Sequence, residues 1–310
     1  MGFTSGAKTL PALINDIANQ IIASSADWVD GDDTWTTTST TNSNARRCLR
    51  YTGDANDIWV ALESCNDNTA PIGSSEASYR VKGLRVTFSA SWDYINRIYP
   101  AGSDDTSMTF VSFEGRGSHN SPAADLGALL LTYFLWTDST GFVLMANPEP
   151  HATDNLQSSF ICAVERLNQK EYSDGLTNFY CYARLNSGHS WMNSNRGDNK
   201  PYRHYTIVRP FAFRAQDDLG IQFWQDPTRG YALKSTGSGK VYFVKPMICN
   251  DSAKFQPIGQ SELFFRFSAE SGLVDGDVIA VQSATTKYLC KSLQSPDSTA
   301  FLYFAMKYVA

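Results

Sequence analysis

Between Leu10 and Ile22 the apolar residues fall at Leu10, Leu13, Ile14, Ile17, Ala18, Ile21 and Ile22. That spacing of three and four lines one face of a helix. Thr9 stands where a cap would, and Pro11 is tolerated in the first turn, where its missing N–H has no acceptor within the helix. Ser24, Ser25 and Asp27 are placed to end it. The apolar face has two possible destinations. It can pack on its own domain, or dock on a neighbouring subunit. In the second case residues 1–30 form an N-terminal helical arm with Leu13, Ile14, Ile17 and Ile21 as its assembly contacts.

Beyond the helix the period changes from 3.6 to two. DIWVALESC sets Ile58, Val60 and Leu62 against Trp59, Ala61 and Glu63, and GLRVTFSASW sets Leu84, Val86, Phe88 and Ala90 against Arg85, Thr87, Ser89 and Ser91. Such alternation predicts half-buried strands. MTFVSFEG, SSFICAVERL, NFYCYARL, YTIVRPFAF, GIQFWQ, SELFFRFS, DVIAVQS, TKYLCKSL and AFLYFAMKYV continue the series. Asp138-Ser139-Thr140-Gly141 joins LTYFLW to FVLM as a predicted hairpin. SPAADLGALLL reads as a short helix, and the polar DDTWTTTSTTNSNARR as an exposed strand or linker. The expected fold is mainly β: antiparallel sandwich or barrel-like domains preceded by an N-terminal amphipathic helix. A surface loop over 186–202 and a break after Phe213 divide the remainder into β-rich domains at 31–213 and 214–310.

One run imitates a phosphate loop. YALKSTGSGKVYFVK ends a small-residue stretch in Gly239-Lys240, but the motif's first glycine position holds Lys234 and its hydroxyl position holds Val241. Val241 to Val244 is β-branched and aromatic, so the run predicts a second hairpin. A bound nucleotide is excluded on this reading.

Charged residues are only 18 % and aromatics 13 %, a balance that suits sheet surfaces and protein contacts. The net charge of −5, with Arg46-Arg47 as the densest basic spot and expected to be solvated, argues against nucleic acid as a partner. The first twenty residues predict no secretory signal, and the longest apolar stretch falls short of the roughly 20 residues a membrane span needs. The expectation is synthesis in the cytoplasm without membrane insertion. Cys48, Cys65, Cys162, Cys181, Cys249 and Cys290 lack the close-spaced pairs of structural zinc and are expected as free, buried thiols.

No reaction motif emerges, and the expectation is a protein that is not an enzyme, with no metal and no cofactor. His119, His151, His189 and His204 are too dispersed for a metal pair. Glu114, Glu165 and Glu262 are the carboxylates that could serve a glycoside hydrolase, a chemistry needing only two such groups about 5 to 10 Å apart. A solvated sheet face explains them more simply. Arg196-Gly197-Asp198 spells an adhesion tripeptide in a polar loop, where a turn suffices to explain it. Trp191 is the tryptophan best placed to stack on a sugar, whereas Trp92, Trp136 and Trp224 sit in apolar surroundings that suggest core or interface.

The stretch FWQDPTRGYALKSTGSGKVYFVKPMICND, then PIGQSELFFRF, then GLVDGDVIAVQSATTKYLCKSLQSPDSTAFLYFAMKYV resembles the C-terminal part of virion structural proteins of tailed bacteriophages. The FTSG lead, the helix LPALINDIANQII, and TDSTGFVLMANPEP followed by SSFICAVERLN extend the resemblance over most of the chain. It carries no catalytic signature and transfers no functional residue. What it implies is a β-rich component of the virion, in the tail, baseplate or host-attachment apparatus, synthesised in the host bacterial cytoplasm. The implied partners are other virion proteins and further copies of the chain. A host surface glycan is the alternative partner, and a head decoration role the alternative position.

Overall fold

A computed structural model describes residues 2–35, 45–54, 56–65, 83–97, 106–112, 129–148, 159–167, 179–185, 205–208, 219–222, 232–233, 242–243, 247–250, 256–267, 271–280, 285–295 and 298–309. The chain is mainly β, and every pairing among the described strands is antiparallel. The largest sheet runs in the order β1 (Gly2–Thr9), β7 (Leu130–Asp138), β8 (Gly141–Pro148), β9 (Phe160–Arg166), β10 (Phe179–Leu185), β11 (Tyr205–Val208). A second has β2 (Trp28–Asp30), β3 (Arg46–Tyr51), β4 (Ile58–Cys65), β5 (Gly83–Ser89) and β6 (Thr106–Ser112) in sequence order. The third runs β17 (Phe264–Phe267), β20 (Ser298–Tyr308), β19 (Lys287–Ser295), β18 (Val278–Ala280). Two small sheets complete the described strands: β12 (Leu219–Gln222), β15 (Met247–Asn250) and β16 (Gln256–Gln260) in one, β13 (Ala232–Leu233) and β14 (Tyr242–Phe243) in the other. The largest sheet ends at β1 and β11, so it does not close into a barrel.

The largest sheet is the middle layer. Along β9, Phe160, Cys162 and Val164 face a core shared with Leu49, Val60, Leu62, Val86 and Phe88 of the second sheet. Ile161 and Ala163 point the opposite way, into a core shared with Leu263, Phe264, Phe304 and Met306 of the third. Burial on both faces explains why FVLMA, FICAV and FYCY are continuous apolar runs, while DIWVALE, with one face on that core, alternates. Ile58, Val60, Leu62, Leu84, Val86 and Phe88 all lie on the inner face, as their spacing predicts.

The helix α1 (Leu10–Ser24) lies between the first two layers, in contact with strands of both. Leu10, Leu13, Ile14, Ile17 and Ala18 are fully buried and Ile21 nearly so, all in the core that joins those sheets. This corrects the expectation that Leu13, Ile14, Ile17 and Ile21 are assembly contacts: the face is already covered by its own chain. Residues 1–30 do not form a separate arm, because β1 is hydrogen-bonded to β7 along its length, from Gly2 opposite Thr137 to Thr9 opposite Leu130. Thr9 occupies the N-cap position but its side chain makes no capping bond. Lys8 instead pairs with Asp16, nearly two turns into the helix.

Both predicted hairpins form. β13 pairs with β14 around the Thr236–Gly239 run, whose own residues lie outside the described set, and β7 turns into β8 at Asp138–Gly141. Gly141 has φ of +146°, and a Cβ there would sit 2.0 Å from the Val164 carbonyl oxygen, so the turn admits only glycine. The predicted helix at 121–131 begins, and the loop 186–202 and the break after Phe213 lie, outside the described residues. No described helix is long and apolar enough to cross a membrane.

Candidate functional site

On its outer side the second sheet carries a shaped loop, Ser91–Arg97. β5 ends at Ser89, whose Oγ donates to the Ser91 carbonyl at 2.6 Å, and Trp92 then turns inward. Its Nε1–H donates to Asp32 Oδ2 at 2.9 Å, and its ring meets Trp35 edge-on at 5.1 Å. The Arg46 guanidinium stacks 4.5 Å above Trp35. Asp93 then makes a tight turn, accepting from the N–H groups of Ile95 and Asn96, each at 2.9 Å. Tyr94 donates its hydroxyl to the Gly31 carbonyl at 3.1 Å, and Arg97, with φ of +56°, donates to Asp32 Oδ1 at 3.0 Å.

The loop is thus pinned at Trp92, Tyr94 and Arg97, and the residue it lifts clear is apolar. Ile95 is 92 % exposed and Tyr94 45 %. Beside them lies Trp59, half-buried, with its Nε1–H 3.4 Å from the Tyr94 hydroxyl and the Arg50 guanidinium 5.1 Å from its ring. Arg50 is in turn paired with Asp57. The Asp32 side chain is sealed from solvent. Burial acts to raise its pKa, but hydrogen bonds from Thr34, Trp92 and Arg97 outweigh it and hold the carboxyl below its ordinary value. Asp32 is therefore an ionised anchor, and the surface it supports is suited to stacking and apolar contact.

A second polar cluster is buried where the middle and third layers meet. Glu165 at the end of β9 is 1 % exposed. Its carboxylate accepts from the Tyr180 hydroxyl, from Ser261 Oγ at 2.7 Å and from the Glu262 N–H at 2.8 Å. Glu165 and Glu262, both weighed above as catalytic carboxylates, are thus brought together, but through Glu262's backbone. Glu165 is enclosed by its donors rather than open to a substrate. Asp138 lies nearby, accepting from Lys307 Nζ at 2.8 Å and from Trp136 Nε1–H at 2.9 Å. Burial works to raise the Asp138 pKa, and Lys307, Thr140 and Trp136 together bring it below its ordinary value.

The remaining candidates divide between core and undescribed chain. Trp92 and Trp136 are buried, each with its indole N–H satisfied by a carboxylate. Cys48, Cys162, Cys181 and Cys290 are free and buried, and the hydrogen bond with Cys181, together with burial, pushes the Cys162 thiol up. Arg47, expected to be solvated, is instead buried, reaching Asn19 of the helix at 2.8 Å and Asp30 at 2.9 Å. No group of metal-ligating side chains occurs among the described residues. Glu114, Trp191, Trp224, the four histidines and Arg196-Gly197-Asp198 lie outside them. Tyr94 and Ile95 were not legible as a site. The only trace in the sequence is the turn-forming pair Asp93 and Asn96 around two apolar residues.

No family model, curated protein or solved structure matches the chain.

Proposed function

We propose that the chain is a structural subunit of a bacteriophage virion, placed in the tail, baseplate or host-attachment apparatus and working through contacts with other virion proteins and further copies of itself. The observation that carries this reading is the rigid outward presentation of Ile95 beside Tyr94. An apolar residue held at 92 % exposure on a turn pinned to a buried carboxylate gains free energy when a partner surface covers it. Neighbouring aromatic rings are the usual company of an interface hot spot. The three stacked β layers behind it supply a stiff base, which suits an assembly component.

The test is made on purified particles of the phage encoding the chain. The protein is expected among their components by mass spectrometry. Ile95→Asp, at a position with no packing to lose, is expected to fold normally yet enter particles at least about tenfold less well. Absence of the chain from particles, or unchanged incorporation of the variant, would refute the proposal.

Recognition of a host surface glycan is a second reading, supported by the half-exposed Trp59 ring flanked by Arg50, Asp57 and Tyr94. Flat rings with neighbouring charged groups stack on and hydrogen-bond to sugars. Binding on a glycan array that is lost in Trp59→Ala would favour this reading over pure assembly.

A further inference from the structure

Glu165 sits at the junction between two layers, and its ligands come from both. Tyr180 belongs to β10 of the middle sheet, whereas Ser261 and Glu262 lead into β17 of the third. Ser261 is fully buried. It bridges the layers, because its Oγ also accepts from the Leu263 N–H at 3.3 Å. Leu263 in turn accepts from the Lys307 N–H at 2.8 Å, so the hook 261–263 is tied into the third sheet at β20. All three groups that bind the Glu165 carboxylate are neutral, and no cation reaches it among the described residues. Lys307 is engaged by Asp138 instead.

We propose that Glu165 is a proton-operated latch: in its acid form it fastens the hook Ser261–Leu263 to the middle sheet, and its ionisation loosens the third sheet from the stack. The physical reason is the imbalance between burial and compensation. A carboxylate removed from water without a cation is disfavoured by desolvation, which three neutral hydrogen bonds offset only in part. The neutral acid fits the same place, since the Tyr180 and Ser261 hydroxyls can each rotate to accept the proton that Glu165 then donates. Opening at the hook admits water, and the proton lost by Glu165 passes to solvent.

The groups around Glu165 fix the direction. Burial acts first and Asp138 adds to it, while the bonds from Tyr180, Glu262 and Ser261 act against them, leaving the carboxyl raised to about 7. Tyr180 on β10 and Tyr288 on β19 are themselves pushed up, chiefly by burial, so both remain neutral donors in this range. Lys307 on β20 neutralises Asp138, and Tyr288 donates its hydroxyl to the Glu262 carbonyl at 3.0 Å. In the opened state Glu165 regains its ordinary acidity. Closure is therefore favoured at mildly acidic pH and weakens as pH rises through about 7.

Hydrogen exchange of the full chain, followed by mass spectrometry at pH 5 and pH 8 and corrected for intrinsic rates, tests this directly. Protection of 261–267 and 303–309 is expected to fall on the order of tenfold to a hundredfold between those values, and to lie at pH 8 below that of 58–62 and 84–88 in the far sheet. Glu165→Gln, which mimics the neutral acid, should abolish the difference. Should that variant not fold, Ser261→Ala removes one bond to the carboxylate and should move the midpoint of the loosening to higher pH. Equal protection at both values, protection of 261–267 at pH 8 no lower than that of 58–62 and 84–88, a pH dependence retained in Glu165→Gln, or an unmoved midpoint in Ser261→Ala would each overturn the proposal.

Discussion

Gly141 carries the turn from β7 to β8 because nothing larger fits. Its positive φ disfavours any L side chain, and the Val164 carbonyl oxygen, 2.0 Å from where a Cβ would sit, belongs to the backbone of a central strand and cannot swing aside. Gly141→Ala is expected to destabilise the protein by about 2–4 kcal/mol, read as a lower denaturant midpoint with an unchanged slope. The same scale shows why Glu165 was misread in the sequence. In SSFICAVERL it looks like an ordinary polar residue at the end of a strand, since its covering partner, Ser261, is 96 residues away. No local pattern records so distant a lid. Asp32 is hidden for a related reason: its partners Trp92 and Arg97 arrive from 60 and 65 residues further on.

At the scale of elements, spacing was a sound guide wherever one face of an element meets one core. The helix and strands β4 and β5 were legible residue by residue, because apolar periodicity and burial coincide there. β1 was not, since GFTSGAKT has no alternation. Its extended form is imposed by pairing with β7 rather than by its own side chains. The destination of the helix was not legible either. An apolar face reads the same whether the covering surface belongs to the same chain or to another, and here Leu13, Ile14, Ile17 and Ile21 are covered from within. Ile17→Asp is therefore expected to prevent folding. An unpaired charge would be placed where the native side chain is fully buried, a loss on the order of 3–5 kcal/mol. Recovery of soluble, cooperatively melting Ile17→Asp protein would contradict this packing.

For the whole molecule, two carboxyls at one junction give stability a maximum in pH. Asp138 is held below its ordinary value, so its contribution is complete above the usual carboxylate range and is lost as pH falls through the lowered value. Glu165 is raised from 4.5 to about 7, so stability declines as pH climbs between those limits, by about 3 kcal/mol if the unfolded chain titrates normally. Thermal melts across pH 3 to 9 are expected to peak at mildly acidic pH, and Glu165→Gln to remove the fall on the neutral side. A melting temperature that rises steadily to pH 8 would contradict it. The pairing of β1 with β7 has a further consequence for how the protein is made. On the ribosome, Gly2–Thr9 emerges long before Leu130–Asp138, so the nascent chain must carry an unpartnered strand, and a helix face covered on one side only, until the more distant strand has been made. Such long-range closure raises contact order and slows folding, and the interval before it is when a chaperone would have most to hold.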